Sequence, residues 1–404
     1  CQALFHDAYG IAMPAGATWD DAWEKMLEFR CNSNTRFCQT LLAFVRAQRP
    51  EVSVDFNYHG YPPFSWLPGQ RPVQHAMNGD FVTAEGLPWI FGHTNPSLLS
   101  LFMAGARLGG PMQGVTSRGV YDYHDFTVRP IAEMKWEVFT YLAHGGQCTI
   151  VDKLNYDGSL DRVAYERLGE VFGEAVAKRP YFGHKLVAEV GLYYSVRSRD
   201  WYGGEDSPKY MSAFCGAHKA LVQAHVPMGF IMDENVSLER LREFAVVYVP
   251  NAPVLTEEEI ALFERYVSGG GNLLVTGLTG CCDQHGQLQE RCVLEHLVGA
   301  RLTEVFAEHR DNYVRLPQSL TNGKGRFLLK DIPSDWELLT YGPVAAFEPT
   351  TAQSFGELLI AHRSQDNPWS GHMSAGEVIG PAVMLNQHGT GNVIFVPCSP
   401  DAAF

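Results

Sequence analysis

The sequence predicts an α/β protein in two parts. Residues 1–187 read as the C-terminal half of a TIM (β/α)8 barrel, and residues 188–404 as a doubly wound α/β domain with a β-rich insertion. Three observations predict this. Short apolar runs ending abruptly in polar residues recur four times between Val52 and Lys153, with helical stretches between them. Buried parallel strands read this way when their carboxyl ends carry chemistry. Composition then resets at Glu189. Finally, a second strand–helix–strand pattern, Ala245–Asn251 to Asn272–Gly277, carries a capping box at Thr256 and a triple glycine at Gly269–Gly271, the signature of an open parallel sheet.

In chain order, Cys1–Tyr9 reads as an amphipathic helix. Two further helices are expected around Asp20–Phe29 and Asn34–Arg49. Val52–Asn57 is the first strand and ends in Asn57-Tyr58-His59-Gly60. A Pro-rich loop, Tyr61–Pro72, leads to Phe81-Val82-Thr83-Ala84, a strand that ends at Glu85-Gly86-Leu87-Pro88-Trp89. A helix near Pro96–Ala106 precedes the strand Met112–Arg118 and the polar loop Gly119–Arg129. Pro130 opens the next helix at a favoured first-turn position, and Gly145-Gly146 ends it. The strand Cys148–Asp152 follows, and Asp161 caps a helix to about Lys178. A closed barrel needs eight such units over about 250 residues, so four units read as its second half. On this reading the sequence is a piece cut at both ends, with the first half of the barrel lying upstream of Cys1. A small open α/β sheet is the alternative, and it too binds ligands at strand carboxyl ends.

In the second part, Glu189–Ser195 reads as a strand and Arg199-Asp200-Trp201 as a loop that either reaches the barrel mouth or serves a domain interface. A helix over Lys209–Ala224, a strand over Met228–Met232 and a helix over Leu238–Glu243 follow. Residues 300–390 hold short β-like segments without a legible order. Asn392–Pro397 returns as a final strand.

Bulk properties exclude several classes. At 46% hydrophobic residues the chain is globular. No run of about 18 apolar residues occurs, so no membrane helix is expected. A net charge of −14 argues against a nucleic-acid partner. The 9 cysteines are an odd number without a CxxC pair, which favours a reduced, cytoplasmic chain. A signal peptide would have been lost with an upstream segment, so its absence carries no weight.

The motifs FNYHG, TAEGLPW, SRGVYDYHDFT and the LAHGG-to-VDK passage, in that order, resemble glycosyl hydrolases that join an α-L-fucosidase-like barrel to a β-galactosidase trimerisation domain. The second half carries the more specific resemblance. Its VVYVPN and LTEEEIALFERYVSGGGNLLVTGLTGCCDQHG segments look like the flavodoxin/glutamine-amidotransferase-like fold of that trimerisation domain. The resemblance implies hydrolysis of an oligosaccharide or glycoside by two carboxylates at strand ends, with no cofactor, in a homo-oligomer, possibly a trimer. It places the nucleophile at the end of a fourth barrel strand, just upstream of Cys1.

Glu85 is then the candidate general acid/base. Such a group must protonate the leaving oxygen, which an apolar setting assists, and Trp89 and Phe81 are near in sequence. Asn57, His59 and Trp89 are candidate sugar contacts. So are Arg118, Asp122 and His124 on the polar loop, and Asp152 at the last strand end. Asp122 and His124 lack a further ligand motif, so no metal is expected. Arg129 and Glu133 read as capping and packing residues. A non-catalytic sugar-binding or assembly protein is the competing reading. A third, a glutamine amidotransferase, needs a nucleophilic cysteine at the strand-to-helix turn. Leu278 and Thr279 occupy the centre of that turn, and Cys281-Cys282 come after it.

Overall fold

In a computed structural model the four polar tips end four parallel strands, β1 (Asn57–Tyr58), β2 (Val82–Glu85), β3 (Met112–Ser117) and β4 (Gln147–Val151). They pair in sequential order, β1-β2-β3-β4. This is the C-terminal half of a (β/α)8 barrel sheet. The structure describes residues 1–404 except 60, 63, 64, 122–125, 309, 310, 323, 335, 363–373 and 404, and except the side chains of 88, 91, 321, 322 and 324. The chain divides into two compact units, Cys1–Val187 and Ala188–Phe404.

The helices of unit 1 are α1 (Gln2–Tyr9), α2 (Asp21–Gln48), α3 (Pro72–Ala76), α4 (Pro88–Phe91), α5 (Asn95–Ala106), α6 (Ile131–Ala143) and α7 (Arg162–Ala177). The two helices expected between Asp20 and Arg49 are one. Arg30-Cys31-Asn32-Ser33 contains neither Gly nor Pro, so nothing interrupts the hydrogen-bond ladder once Asp20 has capped it through the Trp23 N–H at 3.0 Å. The first strand is shorter than expected. Asp80 takes the Val54 backbone, accepting from its N–H at 2.7 Å and donating to its carbonyl at 2.8 Å. That removes both groups from a strand ladder. Behind the sheet, α5 is buried over nearly its whole length. Tyr58 stacks between His75 and Phe102, with ring centroids 5.2 and 6.0 Å away. Burying a Phe-sized side chain contributes about 1.5–3 kcal/mol.

Unit 2 contains a seven-stranded sheet ordered β13-β16-β17-β8-β7-β5-β6. Its parallel part is β5 (Val190–Tyr194), β6 (Met228–Met232), β7 (Val246–Val249), β8 (Asn272–Thr276) and β17 (Gly391–Val396). Numbered along the chain these five have the order 2-1-3-4-5, that of flavodoxin-like folds. Its helices are α8 (Pro208–Gln223), α9 (Leu238–Leu241), α10 (Glu257–Ser268) and α11 (Glu295–Val298). The capping box at Thr256 is present. Glu259 Oε2 accepts from Thr256 N at 2.6 Å, and Thr256 Oγ1 accepts from Glu259 N at 3.2 Å.

The stretch without legible order forms β9 (Ala300–Phe306), β10 (Asp311–Arg315), β11 (Glu337–Tyr341), β12 (Val344–Pro349), β13 (Gln353–Phe355), β14 (Glu357–Ala361), β15 (Ala375–Gly380) and β16 (Val383–His388). Most of it is an antiparallel insertion, with sheets β11-β10-β14-β15 and β12-β9. Val344, Phe355, Leu358 and Val383 lie in its apolar core.

Candidate functional site

The tips of β1 and β2 come together. Asn57 Nδ2 donates to Glu85 Oε1 at 2.6 Å and lies 3.3 Å from His59 Nε2. A donating amide makes that ring nitrogen the acceptor, so the proton of a neutral His59 sits on Nδ1. Gln70, returning from the Pro-rich loop, accepts from His59 N at 2.7 Å and donates to Asn57 O at 3.3 Å. Tyr61, wholly buried, donates its hydroxyl to the Glu85 carbonyl at 2.8 Å, and burial pushes that phenol far up from its ordinary value. Glu85 and His59 are half-buried and Asn57 is exposed. Trp89 is half-buried on α4, four residues beyond Glu85. The sequence singled out Asn57, His59, Glu85 and Trp89. It gave no sign of Gln70 or Tyr61, because a single Gln or Tyr in a Pro-rich loop carries no spacing signal.

Arg118 and Asp152, expected to face substrate, face each other. The Arg118 guanidinium is 1% exposed and pairs through Nε with Asp152, whose side chain is 6% exposed. Its Nη1 donates to Asp161 Oδ2 at 2.7 Å. Two carboxylates thus neutralise one buried cation, as burial of a charge requires. Asp161 also caps α7 through the Val163 and Ala164 N–H groups, and Arg118 with these bonds holds its carboxyl below the usual range. Lys153 Nζ sits 5.5 Å from the Phe126 ring, whose other cationic neighbour is Arg118 at 5.6 Å.

A second buried arginine, Arg129, donates to both Glu137 oxygens at 2.6 and 2.7 Å, and Thr116 Oγ1 donates to Glu137 at 2.9 Å. Arg129 N–H bonds to Arg118 O at 2.9 Å, closing the base of the loop between them. Asp122 and His124, on that loop, lie outside the described residues.

In unit 2, strand order reverses between β5 and β7. An open α/β sheet offers a crevice at the carboxyl ends there. A buried π-turn, Ser198–Gly203, fills that position, where the sequence predicted a loop at Arg199-Asp200-Trp201. Ser198 Oγ accepts from Val254 N at 3.1 Å and donates to Val254 O at 3.2 Å. Arg199 and Asp200 pair with each other at 2.6 Å. Cys281, Cys282 and Cys292 are buried. The Cys281 thiol is pushed well up by a hydrogen bond with the Cys292 thiol and by burial, and burial pushes Cys282 up to about 12. Thiols held this way are poor nucleophiles, which agrees with the absence of cysteine from the turn at Gly277–Gly280. All 9 cysteines of the chain are free. Among the described residues no helix is long and apolar enough to cross a membrane.

The family model of the β-galactosidase trimerisation domain matches residues 188–404, more than half of the chain. No curated protein matches. Among solved structures, the chain is similar to α-L-fucosidase isoenzyme 2 from Paenibacillus thiaminolyticus, with a TM-score of 0.71 at 18% identity, over 91% of this chain and 52% of that one. It is similar to a β-galactosidase from Bacillus circulans sp. alkalophilus, with a TM-score of 0.72 at 16% identity, over 97% and 59% of the two chains. It is also similar to a polyextremophilic β-galactosidase from the Antarctic haloarchaeon Halorubrum lacusprofundi, with a TM-score of 0.69 at 15% identity, over 99% and 64%. Likeness at these identities is likeness of fold. The chain spans between 52% and 64% of the length of these three.

Proposed function

The chain belongs to the β-galactosidase trimerisation-domain family, and from that premise we propose that it is part of a glycoside hydrolase in which Glu85 is the general acid/base. The observation that carries the proposal is the Asn57–Glu85 contact of 2.6 Å at two adjacent strand tips of a half-barrel. The amide donor orients the Glu85 carboxyl group, which in this reading delivers its proton to the leaving glycosidic oxygen. Asn57, His59 and Trp89 are assigned to the sugar, and the loop bearing Asp122 and His124 extends the contact. A β-galactoside or an α-L-fucoside is the substrate class, after the solved structures of similar fold. The second carboxylate comes from outside the four strands of unit 1. Unit 2 is non-catalytic and assembles the protein as a homotrimer, which sedimentation equilibrium tests by mass.

The competing reading, a sugar-binding or assembly protein without turnover, has one observation in its favour. Of the carboxylates placed at the described strand ends, Asp152 is engaged by Arg118. Asp152 therefore does not complete the carboxylate pair that hydrolysis needs. Glu85→Gln in the protein carrying this chain separates the two readings, with 4-nitrophenyl β-D-galactoside and 4-nitrophenyl α-L-fucoside as probes. Loss of turnover with retained sugar binding supports the hydrolase. An unchanged rate removes Glu85 from the mechanism, and no turnover in the wild type leaves the binding reading.

A further inference from the structure

We propose that Tyr141 is a positioning residue for Glu85, acting through a slot made by two glycines; its consequence for catalysis rests on the acid/base reading above. Tyr141 projects from α6 and is wholly buried. Its ring lies against the middle of β3 and the end of β2, where Gly114 and Gly86 have no side chain. A Cβ on Gly114 would overlap ring carbons Cε1, Cδ1 and Cζ. A Cβ on Gly86 would overlap the phenolic oxygen alone; the next atoms, Cζ of the same ring and Asn95 Oδ1, would be 3.3 and 3.4 Å away. The ring therefore occupies the β3 glycine and the hydroxyl occupies the residue that follows Glu85.

These contacts bear on the site because Glu85 is the last residue of β2. Gly86 N–H continues the ladder to Val115 O at 2.7 Å, and Gly114 pairs with Ala84. The Tyr61 hydroxyl holds the Glu85 carbonyl at 2.8 Å. The backbone of Glu85 is thus tied by one buried tyrosine through its carbonyl and stopped by another through the glycine beyond it. How deep the Tyr141 hydroxyl sits determines where the β2 tip can settle, and with it the carboxyl that Asn57 grips. A shift of about 1 Å in such a group lowers turnover on the order of 100-fold.

The asymmetry of the slot supplies the test. Gly86→Ala is expected to break the bond from residue 86 N–H to Val115 O, read as at least a tenfold loss of protection of that amide from hydrogen exchange. It is also expected to lower kcat on the two nitrophenyl glycosides on the order of 10–100-fold with KM little changed. Adding Tyr141→Phe removes the one overlapping atom and restores both. The same addition to Gly114→Ala restores neither, because the ring carbons remain. Should Gly86→Ala not fold, Tyr141→Leu empties the slot instead, and it is expected to lower kcat while KM holds. Protection that Tyr141→Phe does not restore overturns the slot. Restored protection without restored kcat, or wild-type kcat in Tyr141→Leu, overturns the positioning role. Turnover that survives Glu85→Gln overturns the acid/base reading alone and leaves the slot to the exchange measurement.

Discussion

At the carboxyl ends of their parallel strands the two units are built in opposite ways. In unit 1 the tips of β1 and β2 present Asn57, His59 and Glu85, exposed or half-buried, while the charges that hold the neighbouring strands together lie beneath. In unit 2 the equivalent crevice is filled by the protein's own Ser198–Gly203 turn, all of it buried. One architectural rule predicts a ligand site in both places. It is a rule about backbone, and side chains decide the outcome. Where they leave the backbone ends open, polar groups face outward. Where a turn supplies hydroxyl and peptide partners from within, those groups are satisfied inside the protein. Under the proposed function this contrast puts chemistry in unit 1 and stability in unit 2, and each half of it can be broken.

The largest effect is expected beneath the open rim. Glu137→Gln removes the carboxylate that neutralises Arg129 where both side chains are 0–1% exposed. Breaking a buried pair from one side costs about 3–5 kcal/mol. Denaturant unfolding measures it. If this substitution were as mild as one at the rim, the division between scaffold and site within unit 1 would fail.

Next comes a pH effect specific to unit 2. Asp401 is buried, accepts from Thr276 Oγ1 at 2.6 Å and from Tyr248 at 2.8 Å, and burial pushes its carboxyl up to about 6. The folded protein then binds a proton that the unfolded chain has released between about pH 4 and 6. Its contribution to stability is complete below that window and is lost as pH rises through it, by about 3 kcal/mol at one pKa unit per 1.36 kcal/mol. Unfolding curves of the wild type and Asp401→Asn from pH 4 to 7 are expected to show this slope in the wild type only. Parallel curves would mean that the carboxyl is solvated and that this part of unit 2 is as open as unit 1.

A smaller effect belongs to the turn that fills the crevice. Ser198→Ala leaves both peptide groups of Val254 without their buried partner, which costs about 1–3 kcal/mol. A neutral outcome would mean water replaces the hydroxyl, and the crevice would then be accessible after all.

The sequence carried some of this contrast. Alternation of apolar runs with polar tips located β2, β3 and β4, because that pattern follows from burial on both faces. The capping box at Thr256 and the Asp161 cap were legible because they are local. Illegible features depend on distant partners. Nothing near Val54 announces that Asp80, 26 residues later, takes its backbone. The loop after β3 looked like a substrate loop by its density of charge. Whether Arg118 points outward or into Asp152 and Asp161 is settled by packing, 34 and 43 residues away in sequence. The π-turn reads as a loop from its sequence because the Arg199–Asp200 pair is local and polar, and only the surrounding fold buries it.

The smallest stability change is expected at the proposed site itself. Asn57→Ala removes an exposed amide whose bonds are to Glu85 and His59, and exposed substitutions of this kind stay within about 0.5 kcal/mol. Its effect on chemistry should be far larger than its effect on folding. Glu85 loses the amide that orients its carboxyl, and His59 loses the donor facing its Nε2. Nitrogen NMR of the His59 ring reads the tautomer directly, and kcat on the nitrophenyl glycosides reads the orientation. A mixed tautomer and depressed kcat with unchanged unfolding would place Asn57 in the site. A large loss of stability with an unmoved ring signal would place it in the scaffold beside Arg118, and the open rim of unit 1 would then be reduced to Glu85.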